Sequence, residues 1–266
     1  MKAVSNYSPY GWRGKIGLIV PSTNTINEPE FYRLAPKGVT IHTARATALG
    51  KATRESYFSM AEAVKAAADD LATAEVDVIA YGCTSGSIVC SLQDIVQDLT
   101  ERAKAPALAT AGAVVAALRA LGARRVAVAT PYVDFVNESE RSFLQDYGFE
   151  VASLHGLNLG ETQEERRGIG RVPPEHVYRM ARTCDRPDAD AIFISCTNLP
   201  TLDVIAQIEA DLGKPVVTSN QSCFWACLRM LGLPDRIEGY GRLLSDCTAP
   251  ITMQSFALPS AAARAA

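Results

Sequence analysis

Short unbroken apolar runs alternate along the chain with longer stretches in which apolar residues recur every three or four positions. The first four runs are Ile16–Val20, Val39–Ala44, Val76–Tyr81 and Ala107–Thr110. The next four are Val126–Thr130, Glu150–Leu154, Ala191–Ser195 and Val216–Ser219. Helical patterns fill the gaps, as in "SYFSMAEAVKAAADDLATA" at 56–74. Strands that are apolar throughout are covered on both faces, and their alternation with helices predicts parallel sheets and an α/β fold.

The pattern repeats. "RGKIGLIVPSTNTINE" at 13–28 matches "ARRVAVATPYVDFVNE" at 123–138 in its basic start, apolar run, proline and closing Asn-Glu. "APALATAGAVVAALRALG" at 105–122 matches "KPVVTSNQSCFWACLRMLG" at 214–232. Ordered matches at a nearly constant offset predict two pseudo-symmetric lobes, each a parallel sheet flanked by helices. The expected boundaries are 1–118 plus a returning segment 220–266 for the first lobe, and 119–219 for the second.

Two runs in equivalent places end in Cys-Thr: "VIAYGCTSGSIV" at 78–89 and "AIFISCTNLP" at 191–200. Open parallel sheets bind ligands beyond the carboxyl ends of their strands. Cys83, Cys196 and the loops carrying Ser22, Asn24, Tyr132 and Thr197 all fall there, which places a candidate active site in the cleft between the lobes. Ile88, Val89, Leu92, Ile95, Val96 and Leu99 form an apolar stripe, predicting a helix directly after Cys83 with Thr84, Ser85 and Ser87 as capping candidates. That setting favours negative charge and is expected to lower the Cys83 thiol pKa. After Cys196 a helix is expected only near Pro200 and Thr201.

Composition narrows the chemistry. The chain has 266 residues, 48% hydrophobic and 21% charged, with net charge −3. That gives no electrostatic case for nucleic acid or an anionic membrane, and no apolar run is long enough to span a bilayer. "MKAVSNYSPYGWRGK" lacks the apolar stretch of a signal peptide, and seven cysteines, an odd number, read as reduced thiols in the cytoplasm. Cys90, Cys223 and Cys227 lie in helical patterns and read as packing residues; Cys184 and Cys247 fall in loop-like stretches. His42, His155 and His176 are isolated, and there is no zinc signature, so no metal is expected. Dinucleotide and P-loop glycine motifs are absent, "RGIGR" at 167–171 reads as a loop, and no cofactor is expected. Two thiols facing one another across a flat substrate can exchange protons on opposite faces, which inverts a stereocentre or isomerises a double bond.

These features resemble the aspartate/glutamate racemase superfamily over about residues 13–245. "GLIVPSTNT" resembles maleate cis-trans isomerases, and "ATPYVDFVNE" and "GYGRLL" resemble arylmalonate decarboxylases. "YGCTSGSIV", "AIFISCTNLP" and "GKPVVTSNQSCFWACLRMLG" resemble the ectoine-utilisation (EutA) branch. The resemblance implies a cofactor-independent isomerase or racemase of a small carboxylic acid. In the isomerases the first cysteine adds to the double bond and the second donates a proton, which implies Cys83 and Cys196. It also implies that Thr84, Ser85 and Tyr132 stabilise developing negative charge and that Asn24 holds a carboxylate. Arg166 or Arg167 stands near a position where the isomerases carry a substrate-binding asparagine, implying a different or larger anion. The decarboxylases lack the first cysteine, so decarboxylation is the rival activity; a non-catalytic acid-binding protein is the rival of another class. The expected partner is a small carboxylate, with a homo-oligomer left open.

Overall fold

The first half of the chain comprises β1 (Gly14–Pro21), α1 (Asn27–Leu34), β2 (Val39–Ala46), α2 (Arg54–Thr73), β3 (Val78–Tyr81), α3 (Thr84–Val89), α4 (Leu92–Ala103), β4 (Ala107–Ala109) and α5 (Thr110–Ala120). The second comprises β5 (Arg125–Tyr132), α6 (Asp134–Asp146), β6 (Glu150–Leu159), α7 (Gln163–Gly168), α8 (Pro174–Cys184), β7 (Ala191–Ile194), α9 (Ile205–Leu212), β8 (Val216–Thr218) and α10 (Ser219–Met230), followed by α11 (Arg242–Asp246). The computed structural model describes residues 8–258, so the outermost ends of the expected first lobe, 1–7 and 259–266, lie outside the described residues, as does the start of the N-terminal stretch read for a signal.

The strands form two parallel four-stranded sheets in the same order, β2-β1-β3-β4 and β6-β5-β7-β8. The predicted α/β class and the internal repeat are both present. In each sheet the chain leaves its first strand toward one edge and returns on the other side. The crevice at β1/β3, and its counterpart at β5/β7, is therefore a topological switch point, where open parallel sheets place their ligands. The inner strands β1, β3, β5 and β7 are buried almost throughout, as their apolar runs require.

α5 and α10 are buried on nearly every side. They pack against one another, and each touches both β4 and β8. The last helix of each half thus sits between the sheets and covers both short edge strands, which would otherwise leave backbone groups unpaired. Cys223 and Cys227 are buried in α10, as read from its periodicity. Residue 118 lies inside α5, whose C-cap is Leu121.

Several local expectations are corrected. The stripe from Ile88 to Leu99 is two helices, because Cys90 closes α3 and the Ser91 hydroxyl starts α4 by accepting from Asp94 N–H at 3.3 Å. Thr110 and Ser219 open helices rather than ending strands. "RGIGR" is the end of α7 and a 3₁₀ turn at Ile169–Arg171, begun by a capping box in which Thr162 accepts from Glu165 N–H at 3.1 Å. Cys184 is the buried last residue of α8, not a loop residue. No helix starts near Pro200; the next, α9, begins at Ile205.

Candidate active site

Cys83 follows β3 and is itself the N-cap of α3, in place of the expected hydroxyl residues. Its sulfur accepts from Gly86 N–H at 3.3 Å and lies 3.8 Å from the Ser85 hydroxyl. The Ser87 hydroxyl donates back to the Cys83 carbonyl at 2.8 Å and fixes the turn. Gly82 just before it is required for space: a Cβ there would come within 2.1 Å of the Asn27 amide oxygen.

Cys196 follows β7 in a different conformation. Its φ is +96°, a region costly for a residue with a side chain. Local hydrogen bonds hold it there. Cys196 N–H donates to the Ser219 hydroxyl at 3.0 Å, and Asn198 N–H donates to the Cys196 sulfur at 3.4 Å. Next to it, the Thr197 hydroxyl donates to the Gly82 carbonyl at 2.9 Å and ties the second lobe to the first.

Both thiols line one cavity of about 50 Å³ between the lobes. That is room for only a few waters. Asn24, Thr84, Ser85, Tyr132, Thr197 and Arg166 from the sequence reading line it too. Arg166, in the last turn of α7, is the one charged side chain among the lining residues. Its guanidinium donates to the Gly50 carbonyl at 3.0 Å and lies 5.7 Å from the centre of the Tyr57 ring.

Not every anticipated group is free to bind. Ser22 is exposed and lies outside the lining residues; its hydroxyl accepts from Ala48 N–H at 3.0 Å and secures the loop instead. The Asn24 oxygen accepts from Ile26 and Asn27 N–H, and its amide donates to the Thr197 hydroxyl at 3.0 Å. The Thr84 hydroxyl donates to Ser219 at 2.8 Å. These side chains build the cleft by joining its walls. Ser219, the first residue of α10, accepts from the loops of both cysteines.

The arylmalonate decarboxylase family profile matches residues 16–244. The chain belongs to the arylmalonate decarboxylase family. It is 31% identical over 250 residues to a maleate isomerase of Nocardia farcinica, covering 88% of this chain and 97% of that one. It is 32% identical over 240 residues to an arylmalonate decarboxylase of Bordetella bronchiseptica, covering 87% and 96%. Among solved structures, the maleate isomerase of Pseudomonas putida superposes with a TM-score of 0.83 at 29% identity, covering 88% of this chain and 99% of that one. A mutant Nocardia farcinica maleate cis-trans isomerase carrying a covalently bound succinylcysteine intermediate superposes with a TM-score of 0.80 at 28% identity, covering 87% and 98%. This member of the arylmalonate decarboxylase family is an enzyme, and its relatives include maleate isomerases.

Within this family frame the two thiols are electrostatically unequal. Burial raises the Cys83 pKa, and the Gly86 N–H, the Tyr81 and Ser85 hydroxyls and the Arg166 charge pull it back. Burial pushes Cys196 up to about 12, against the Asn198 N–H and the Tyr132 hydroxyl, while Cys83 and Glu140 push it further. The expected lowering at Cys83 is thus corrected in sign, because loss of water outweighs the few donors present. Burial also raises Tyr57 and Tyr132, which keeps both phenols protonated as O–H donors.

Four residues around the site escape the sequence reading. Tyr57 lies in the first turn of α2, where its spacing is indistinguishable from ordinary core packing. Ser219 closes a strand-like run in the sequence but opens α10 in the fold. Glu30 and Glu140 stand three residues after the matched Asn27 and Asn137, so extending the repeat comparison by one turn of helix finds them.

Proposed function

We propose that this enzyme is a cis-trans isomerase of a small unsaturated dicarboxylate, with maleate as the substrate to test. The observation that carries this reading is two unequal thiols lining one small cavity whose only charged wall residue is an arginine. Arg166 supplies the attraction for a carboxylate. The Ser85, Tyr57 and Tyr132 hydroxyls face the same space and stabilise charge that spreads onto carboxylate oxygens during addition.

The chemistry divides between the cysteines. Cys83, which has the larger set of compensating donors, acts as thiolate and forms a carbon–sulfur bond to one alkene carbon. Cys196, whose thiol burial pushes up to about 12, gives its proton to the other alkene carbon and is left as thiolate. The former double bond is now single and rotates. Cys196 then takes a proton back from the same carbon, the carbon–sulfur bond breaks toward Cys83, and the trans acid leaves. Protons and electron pairs balance with no external oxidant or reductant.

Decarboxylation of an aryl-substituted malonate needs only one protonation and space for a ring. A second thiol, Cys83, lines the same cavity as Cys196, and a single protonation does not call for it, which favours isomerisation. The seven cysteines are all unpaired thiols, which fits a reducing compartment, and we place the enzyme in the cytoplasm. Proton NMR of the purified protein incubated with maleate tests the reading. Fumarate should appear at a rate proportional to enzyme concentration. Maleate left intact by protein that converts an arylmalonate instead would overturn it.

A further inference from the structure

Glu30 on α1 and Glu140 on α6 hold matching places in the two halves, and both are buried. Their partners differ. Glu30 crosses to the second lobe and accepts from Thr201 N–H at 2.8 Å, Leu202 N–H at 3.1 Å and the Asn220 amide at 2.7 Å. Among the described residues Glu140 accepts only from the Ser195 hydroxyl, at 2.6 Å. Its second oxygen is buried with no partner among the described residues. A carboxylate so placed, with one hydrogen bond and no counter-charge, takes up a proton rather than remain charged. Burial accordingly pushes Glu140 up to about 8, the Ser195 hydroxyl opposing.

Ser195 immediately precedes Cys196, the residue held at φ +96°. The surroundings of Glu140 are electrically quiet. α3 and β7 carry no titratable side chain. β5 brings Arg125 and Tyr132, β6 brings Glu150 and His155, and α6 itself carries Asp134, Glu138, Arg141 and Asp146. Arg125 is paired with Glu150 and Asp188, and Arg141 with Glu138. In the other direction Glu140 does matter: Cys196 and Tyr132, raised first by their own burial, are raised further by a negative charge on it.

We propose that Glu140 is a positioning residue for Cys196: its neutral carboxyl holds Ser195, fixes the left-handed turn that aims the thiol, and keeps negative charge away from the sulfur. Above neutral pH the carboxyl ionises, and Cys196 then holds its proton more tightly. This rests on the reading of Cys196 as a proton carrier, but its first test needs no substrate.

Wild type and Glu140→Gln are alkylated with iodoacetamide from about pH 6.5 to about pH 9.5, and the rate at each cysteine is read by peptide mass spectrometry. The Cys196 rates should coincide at the acid end. Above about pH 8 Cys196 should react about threefold or more faster in Glu140→Gln, while Cys83 is unmoved. Cys196 rates that coincide at every pH, or an equal shift at Cys83, would overturn the proposal. The positioning role is read separately with maleate. Glu140→Leu, which cannot accept from Ser195, should lose about tenfold in kcat with KM little changed, and Glu140→Gln should restore most of it at neutral pH. Wild-type kcat in Glu140→Leu would contradict the role. If wild type fails to turn over maleate, the functional reading falls, and the alkylation profiles still decide the electrostatic claim.

Discussion

The two cysteine loops end equivalent strands of equivalent sheets, yet they are built differently. Cys83 caps a helix in ordinary extended backbone and collects a backbone N–H, two hydroxyls and the field of an arginine. Cys196 sits in a strained left-handed turn, with no helix until Ile205 and its thiol held near 12. A symmetric fold has thereby produced two thiols of unequal acidity, which suits an addition at one carbon and a protonation at its neighbour. The same divergence separates Glu30, fully partnered across the lobes, from Glu140, left with one donor.

The largest expected effect lies at the thiols. Serine in place of either cysteine keeps shape but removes the acidic, nucleophilic sulfur, so Cys83→Ser and Cys196→Ser should each lose about 10³-fold or more in kcat/KM with maleate. The double variant should lose little beyond either single one, as expected of residues that act as a unit. Clearly additive losses would show that the two act independently.

The glutamates sharpen the comparison through stability. Glu30→Ala strands Thr201 and Leu202 N–H groups and the Asn220 amide in the interior, and should cost about 2–4 kcal/mol in denaturant unfolding. Glu140→Gln should act in the opposite sense as pH rises. The folded pKa of Glu140 is raised from the ordinary 4.5 to about 8. Its contribution is therefore fully present below about pH 4.5 and is lost as pH rises toward and through 8. Glutamine does not ionise, so between about pH 4.5 and pH 7 the variant should gain roughly 3 kcal/mol on wild type. A difference constant with pH would mean that Glu140 is charged in the fold.

Ser219 gives a smaller effect. It accepts from both cysteine loops, so Ser219→Ala frees Thr84 Oγ1 and Cys196 N–H together. A loss of about tenfold in kcat is expected, with the fold intact by circular dichroism. An unaltered kcat would show that neither loop needs this link.

Much of this was legible in the chain. Unbroken apolar runs gave away parallel strands, the matched Pro and Asn-Glu landmarks gave away the duplication, and Cys-Thr after equivalent strands marked the cleft. What stayed hidden depends on packing. Ser22 and Asn24 look like ligand groups, but where each side chain's hydrogen bonds go is decided by the folded loops. The break at Cys90 and Ser91 is masked because apolar spacing continues across it. Tyr57 is spaced like any core residue. Burial reverses the thiol acidity expected from a helix start, and burial is a property of the assembled lobes.

The most direct measurement is the site of the covalent bond. Cys196→Ser incubated with maleate and then digested should yield the Cys83 peptide heavier by one maleate, while Cys83→Ser treated alike should yield no adduct on Cys196. An adduct on Cys196 in the Cys83→Ser protein, with Cys83 unmodified in its counterpart, would contradict the division of labour between the two thiols.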